Sequence, residues 1–193
     1  MAMVSANVQS EQQDFNVVVG EFILPVKMVE VEGKNLAVAS IIAESQREKV
    51  GDQAVKLVPE SESVPAVLQA MEQKKADIRV LLLHAPQEEA ETFAEKYPDF
   101  DLIVCQSKLE HPQPDDIVKR GKTTIAWVGQ KGLDVSVIGF WDGNPLVMRV
   151  ESVLINDRFK DSTAVNDIYG RYVQRVKDEE YLSKLPRVPH PSG

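Results

Sequence analysis

A chain of 193 residues with 43 % apolar side chains is long enough to bury one hydrophobic core, and a single domain is expected. Its 30 acidic against 22 basic residues leave a formal charge of −8, and no basic run exceeds Lys74-Lys75, so the phosphate-neutralising surface that nucleic acid demands is missing. Apolar runs such as Val80-Leu81-Leu82-Leu83 are far too short for a membrane span, residues 1–20 lack a signal-peptide pattern, and one cysteine, Cys105, excludes an internal disulfide and any multi-cysteine metal or haem motif.

Residues 1–16 are polar and without period apart from Val4-Ser5-Ala6-Asn7-Val8, and read as loop. Val17-Val18-Val19 and Phe22 to Val31 favour extended structure, and Glu32-Gly33 reverses the chain into Leu36-Ala37-Val38-Ala39 as a hairpin. Between Glu44 and Glu62, Ser, Lys, Asp and Glu prevail, which predicts a long connection. Ser63 then caps a helix over 64–75 that tolerates Pro65 in its first turn and repeats Val64, Val67, Leu68 and Met71 at helical spacing.

Ile78 to Leu83, almost continuously apolar, reads as a strand covered on both faces. Pro86 opens a helix carrying Ala90, Phe93, Ala94 and Tyr97, which Pro98-Asp99 ends, and Leu102-Ile103-Val104 is the next buried strand. A right-handed crossover makes the two strands parallel. This βαβ core sets His84 and Cys105 at the carboxyl ends of its strands, where open α/β sheets present their ligand crevice. After His111-Pro112-Gln113-Pro114 come strands without helices: Thr123 to Val128, Val135 to Trp141, and Leu146 to Leu154, with a turn at Asp142-Gly143-Asn144-Pro145. Ser162 caps a long amphipathic helix with Val165, Ile168, Tyr169, Tyr172, Val173 and Val176 on one side, ending near Leu182. Residues 183–193 read as a Pro-rich linker, leaving 1–182 as one α/β domain.

This order of elements resembles the second half of the catalytic domain of the 5′-nucleotidase-like (calcineurin-like) metallophosphoesterases, from about Val4 to Leu154. Ser5-Ala6-Asn7-Val8 looks like the family's Ser-Ala-Asn segment, and Val26 to Ala39 like its hairpin with an interior glycine, here Gly33. Ala76-Asp77 through Leu83-His84 looks like the strand that ends in a metal-binding histidine, and Thr123 to Gly139 like the antiparallel return strands. The resemblance implies a mixed sheet with a parallel βαβ core, antiparallel C-terminal strands and a long C-terminal helix, together half of an α/β/β/α sandwich.

Family members bind two metals, which activate water for attack on phosphorus. Most ligands lie in Asp-x-His, Gly-Asp-x-x-Asp and Gly-Asn-His motifs of the first half, and none of the three is present here. Gly51-Asp52-Gln53 is an echo out of place, without the second aspartate. Where the family follows Asp-Leu-Ile with Gly-His-x-His, this chain reads Asp101-Leu102-Ile103-Val104-Cys105-Gln106-Ser107-Lys108-Leu109, so Ser107 and Leu109 replace the two histidines. Neither is a plausible ligand for the metals used there. His84 alone matches a family ligand, and one imidazole does not hold a catalytic ion, so the site reads as degenerate.

Two readings of His84 stand: a vestigial ligand, or a strand-end histidine with a satisfied hydrogen bond, the commoner case. His111, helped by Glu110 or Asp115, is a candidate for a weak metal site beside His84. Cys105, with Lys108 as its nearest cation in sequence, reads as a buried inert thiol rather than a nucleophile. Glu88, Glu89 and Glu91 suit the start of a helix, and Trp127 and Trp141 suit sheet faces. Gly129-Gln130-Lys131-Gly132, which no helix follows, reads as a hairpin turn rather than a phosphate loop.

The tail from Leu185 to Gly193 resembles the connector that joins a domain of this kind to a multihaem cytochrome c region in some bacterial secreted proteins. The chain itself has no Cys-x-x-Cys-His and no haem of its own. A non-catalytic, cofactor-free structural or interaction domain is therefore expected, within a larger periplasmic or secreted protein whose other domains or redox partner it contacts. The alternative is the back half of a metal-dependent 5′-nucleotidase-type phosphoester hydrolase, its N-terminal half absent from the sequence. Half a sandwich leaves an apolar sheet face open, which predicts a homodimer through that face or its covering by the C-terminal helix.

Overall fold

The computed structural model describes residues 3–10, 23–51, 55–112, 116–143 and 146–179. Contacts divide the chain into two units, Met1–Ile155 and Asn156–Gly193, a division at 155/156 where the sequence suggested one at 182/183. The first unit is built on a six-stranded sheet. Its strands are β4 (Lys27–Val31), β5 (Lys34–Ile42), β7 (Ile78–His84), β8 (Leu102–Gln106), β9 (Val118–Arg120) and β10 (Thr123–Val128), in the order β4-β5-β7-β8-β10-β9. The four central strands are parallel, and only the edge strands β4 and β9 run against their neighbours. Three short strands, β1 (Met3–Val4), β2 (Val8–Ser10) and β3 (Ile23–Leu24), precede the sheet; β1 pairs with β3, and β2 with β6 (Val55–Leu57).

The expected hairpin is present: Glu32 and Gly33 both have positive φ, 51° and 76°, as a two-residue turn matched to strand twist requires. The parallel βαβ core is present too, with α2 (Gln87–Lys96) between β7 and β8. The sheet carries a repeated lock at its amino edge. Asp77 donates its N–H to Asn35 O and accepts Asn35 N–H on its carboxylate, each at 2.8 Å. Asp101 does the same to Arg79, one strand further on, at 3.0 and 2.8 Å. A short carboxylate thus satisfies a strand-end donor that no ladder reaches.

Several expectations need correction. The stretch from Glu44 to Glu62 is no simple connection, because it holds a 3₁₀ helix (Glu44–Lys49) and β6, and residues 1–16 contribute β1 and β2. Helix α1 runs Glu60–Gln73, a turn earlier than expected, because Glu60 and Glu62 favour the helix start and Pro59 O takes the first N–H groups. Ser63 is therefore inside the helix and buried rather than its cap, and Pro65 falls beyond the first turn, on the exposed side. Thr123 to Val128 is parallel to β8, not an antiparallel return strand, because β9 supplies the reversal. Finally, Gly129 to Gly132 links two sheets rather than a hairpin, since among the described residues β11 (Asp134–Trp141) and β12 (Val147–Leu154) pair only with each other. Val17-Val18-Val19, the Asn144-Pro145 turn and the tail from 183 onward lie outside the described residues.

Alternation along the strands divides the core in two. One set, including Ile41, Leu81, Leu83, Ile103, Ile125 and Trp127, packs under α1 and α2 with Val64, Met71, Phe93 and Phe100. The opposite set, Ile78, Val80, Leu102 and Ala126, lies under the β11–β12 hairpin, where Met148, Ile138, Phe140 and Val150 cover it. The face expected to stay open is thus covered by a two-stranded second layer, and only in part: Leu82 on the same face is 37 % exposed. The hairpin's outer side shows Val135, Val137, Trp141 and Val147, the indole lying against Gly139 with Arg149 over it at 5.7 Å. In the second unit, Ser162 caps α3 (Thr163–Asp178) through its side chain, and Val165, Ile168, Tyr169 and Tyr172 are all exposed.

Candidate functional site

The carboxyl ends of β5, β7, β8 and β10 open onto one cleft of about 490 Å³. The end of β5, the strand that leads to it, is held by a buried amide. Asn7 Nδ2 donates to Ile42 O at 2.8 Å while Ile42 N–H donates to Asn7 Oδ1 at 3.1 Å, so the side chain pairs with the last residue of β5 as another strand would. Asn7 O also accepts Val58 N–H at 2.8 Å, and Ala6 N–H reaches Ser40 O. The Ser5-Ala6-Asn7 segment thereby ties the N-terminal strands to the sheet and to the approach to α1.

His84 ends β7 opposite Ile42 and lines the cleft with an exposed ring. Its side chain has no hydrogen-bond partner among the described residues, so the satisfied structural histidine is not found among them. Beside it, Gln46, Lys49, Gln87, Gln106, Ser107, Lys108 and Gln130 complete the polar lining. Ser107 is buried and its Oγ accepts Leu109 N–H at 3.0 Å, so the pair standing where a Gly-His-x-His motif would place histidines forms a tight side-chain turn instead. Gln130 braces that turn, donating to Ser107 O at 3.2 Å and Lys108 O at 3.0 Å.

His111 is not part of this lining. Its Nδ1 lies 2.7 Å from Asp134 Oδ2, whose carboxyl is nearly buried, and this pair pins the passage from β10 to β11. Gly129 sits in the same junction; a Cβ there would stand 2.3 Å from Glu110 O. Glu110 pairs with Lys131, while Asp115 and Asp52 lie outside the described residues. Among the described residues no three His, Cys, Asp or Glu side chains converge as a metal site would require.

The acidic start of α2 is spoken for. Lys108 pairs with Glu88 and holds that exposed carboxyl below the ordinary range, Glu89 accepts Ser45 Oγ–H at 2.8 Å, and Glu91 pairs with Arg120. Cys105 is buried with its Sγ 3.4 Å from Ala85 O, and burial pushes its thiol pKa up. A folded pKa above the unfolded one makes this contribution complete below the ordinary thiol range and lost as pH rises from there through the raised folded pKa. The folded chain should therefore resist a thiol-specific disulfide reagent at neutral pH and react fully in denaturant, and Cys105→Ala should flatten the alkaline decline in stability. Rapid labelling of the native chain would show the thiol to be accessible.

The glutamines and Lys49 carry no motif, and only their place at strand ends and in following loops marks them. Trp127 is the core residue expected of a sheet face, its Nε1–H donating to Asp116 O at 2.7 Å.

No family model and no curated protein matches the chain. Solved structures match its fold. A 5′-nucleotidase precursor from Thermus thermophilus superposes with a TM-score of 0.72 at 17 % identity, over 92 % of this chain and 38 % of that one. The sulfate thiohydrolase SoxB of Thermus thermophilus gives 0.68 at 13 % identity, over 93 % of this chain and 32 % of that one. The calcineurin-like phosphoesterase YfkN of Bacillus subtilis gives 0.59 at 11 % identity, over 92 % and 64 %. The chain has the α/β fold of a fragment of such phosphoesterase domains, and it spans little more than a third of the first structure's length. At these identities the likeness is one of fold.

Proposed function

We propose that this chain is a non-catalytic domain of metallophosphoesterase descent that serves as a structural or interaction module. The composition of the strand-end cleft carries the reading: among the described residues its lining has one histidine, no carboxylate, and a serine turn at Ser107 to Leu109. A pair of catalytic ions needs several converging nitrogen and oxygen ligands with an open position, and the residues present do not fit that requirement. His84 is then a remnant of a ligand set rather than a member of one. Elemental analysis of the purified chain, with phosphatase assays under added manganese, tests this: substoichiometric metal and no turnover are expected, and stoichiometric metal with turnover would overturn it.

The second reading, the back half of a phosphoester hydrolase, is favoured by the coverage, since the chain accounts for 38 % of the Thermus thermophilus nucleotidase structure. An upstream half would supply the missing motifs, yet it would leave Ser107 and Leu109 in place. Co-expression with the sequence encoded upstream, followed by the same metal and activity measurements, separates the two. The Pro-rich tail supports a place beside redox domains in a larger periplasmic or secreted protein. The apolar outer side of the β11–β12 hairpin supports self-association, for which sedimentation analysis is the direct measurement.

A further inference from the structure

We infer that the strand-end cleft is a metal-independent binding site for a small hydroxylated anion, with Lys49 holding the anionic group and the glutamine amides reading its hydroxyls. The inference rests on the reading that no metal pair occupies this cleft. Its charge is the first argument. In a chain of net charge −8 the described lining residues include two lysines and no carboxylate, a composition that favours an anion over a cation. Glu88 offsets Lys108, whereas the exposed Lys49 has no ion-pair partner among the described residues and is the ammonium assigned to the anion.

The second argument is unused hydrogen-bonding capacity, which can be assigned because backbone partners fix two of the amides. Gln87 Oε1 accepts Lys108 N–H at 3.3 Å, which leaves its –NH₂ as a donor without a partner among the described residues. Gln130 donates to two carbonyls, which leaves its Oε1 as an acceptor. Gln106 and His84 have no side-chain partner among the described residues and each offers a donor and an acceptor. Donors and acceptors side by side suit hydroxyl groups, each of which gives and takes one bond. A cleft of about 490 Å³ is in the range of small-molecule sites. One side of it is set in advance by the Ser107 turn braced by Gln130, which reduces the ordering entropy that opposes binding.

The test is a ¹H–¹⁵N titration of the full chain in EDTA with sodium gluconate, inorganic phosphate and, as the neutral polyol, glucose. Saturable shifts in the side-chain amide signals of Gln87, Gln106 and Gln130 are expected with gluconate. Phosphate alone is expected to bind more weakly, through the lysine, and glucose should give no saturable shift. Lys49→Gln, an exposed substitution checked by its melting curve, is expected to weaken gluconate by ~10-fold, the worth of one charge-assisted contact. Tighter binding of phosphate than of gluconate would overturn the assignment of the amides to hydroxyls. Absence of saturable shifts, or equal affinity in Lys49→Gln, would overturn the anion site while leaving the metal-free reading intact. Binding that appears only on adding manganese would overturn both.

Discussion

Asn7→Ala is expected to cost about 3–4 kcal/mol of folding stability, read by urea denaturation through Trp127 fluorescence. The asparagine is 1 % exposed and supplies both a donor and an acceptor to the backbone of Ile42, with Val58 O a further acceptor at 3.4 Å. Truncation leaves a part-buried N–H and a part-buried C=O of Ile42 without these partners, each costing about 1–3 kcal/mol, besides the small cavity. Asn7→Asp keeps the acceptor for Ile42 N–H but sets a buried carboxylate against Ile42 O. Desolvation and that contact raise its folded pKa, so the variant should be least stable at neutral pH and recover as pH falls through that raised pKa, the recovery being complete by about pH 4, the ordinary carboxylate value. A loss under about 1 kcal/mol for Asn7→Ala would mean that the amide pair is replaced by solvent at no penalty, and that the segment is not held as described.

Met148→Asp should have a comparable effect in a different place. Met148 is 5 % exposed, opposite Phe140 on the hairpin and over Ile78, Val80, Leu102 and Ala126 on the sheet. Losing its apolar volume costs about 2–5 kcal/mol, and an unpaired carboxylate in that position adds to it. Because the larger cluster lies on the helix side, the expected outcome is local: β11 and β12 amides exchange fast while β7 and β8 amides stay protected. Met148→Leu, which keeps the volume, should cost less than about 1.5 kcal/mol. Equal loss of protection in β7 and β8 would show the two layers to be one cooperative unit.

The parts of this fold that are legible in the chain are those where one short segment decides its own conformation. Glu32-Gly33 admits the two positive φ angles of a tight turn, Ile78 to His84 is too apolar to be half-exposed, and Ser162 precedes a periodic stripe. What is illegible depends on distant partners. β6 and β2 are three residues each and exist because they pair with each other across about fifty residues; neither has a period long enough to detect. β10 looks like its antiparallel neighbours, and only the three-residue β9 turns it to lie parallel to β8. The same holds at the cleft. His84 can be placed because a strand end is visible, whereas Gln46, Lys49, Gln87 and Gln130 come together only after four strands have been set side by side. Asn7 carries a signal in its motif, but its bond to Ile42, 35 residues away, cannot be read from it.

The carboxylate locks at Asp77 and Asp101 bear on the order in which the chain assembles. Each closes a loop, one of 42 residues back to Asn35 and one of 22 back to Arg79. Each loop encloses a helix, but the longer closure is about twofold in length and so carries about 0.6 kcal/mol more entropy cost. Assembly is therefore favoured to start at β7, α2 and β8, with β5 joining afterwards onto an edge whose register Asp77 has already marked. A nascent chain emerging from the ribosome would hold the β4–β5 hairpin waiting, its parallel partner β7 not yet paired with β8, until residue 106 has cleared the exit.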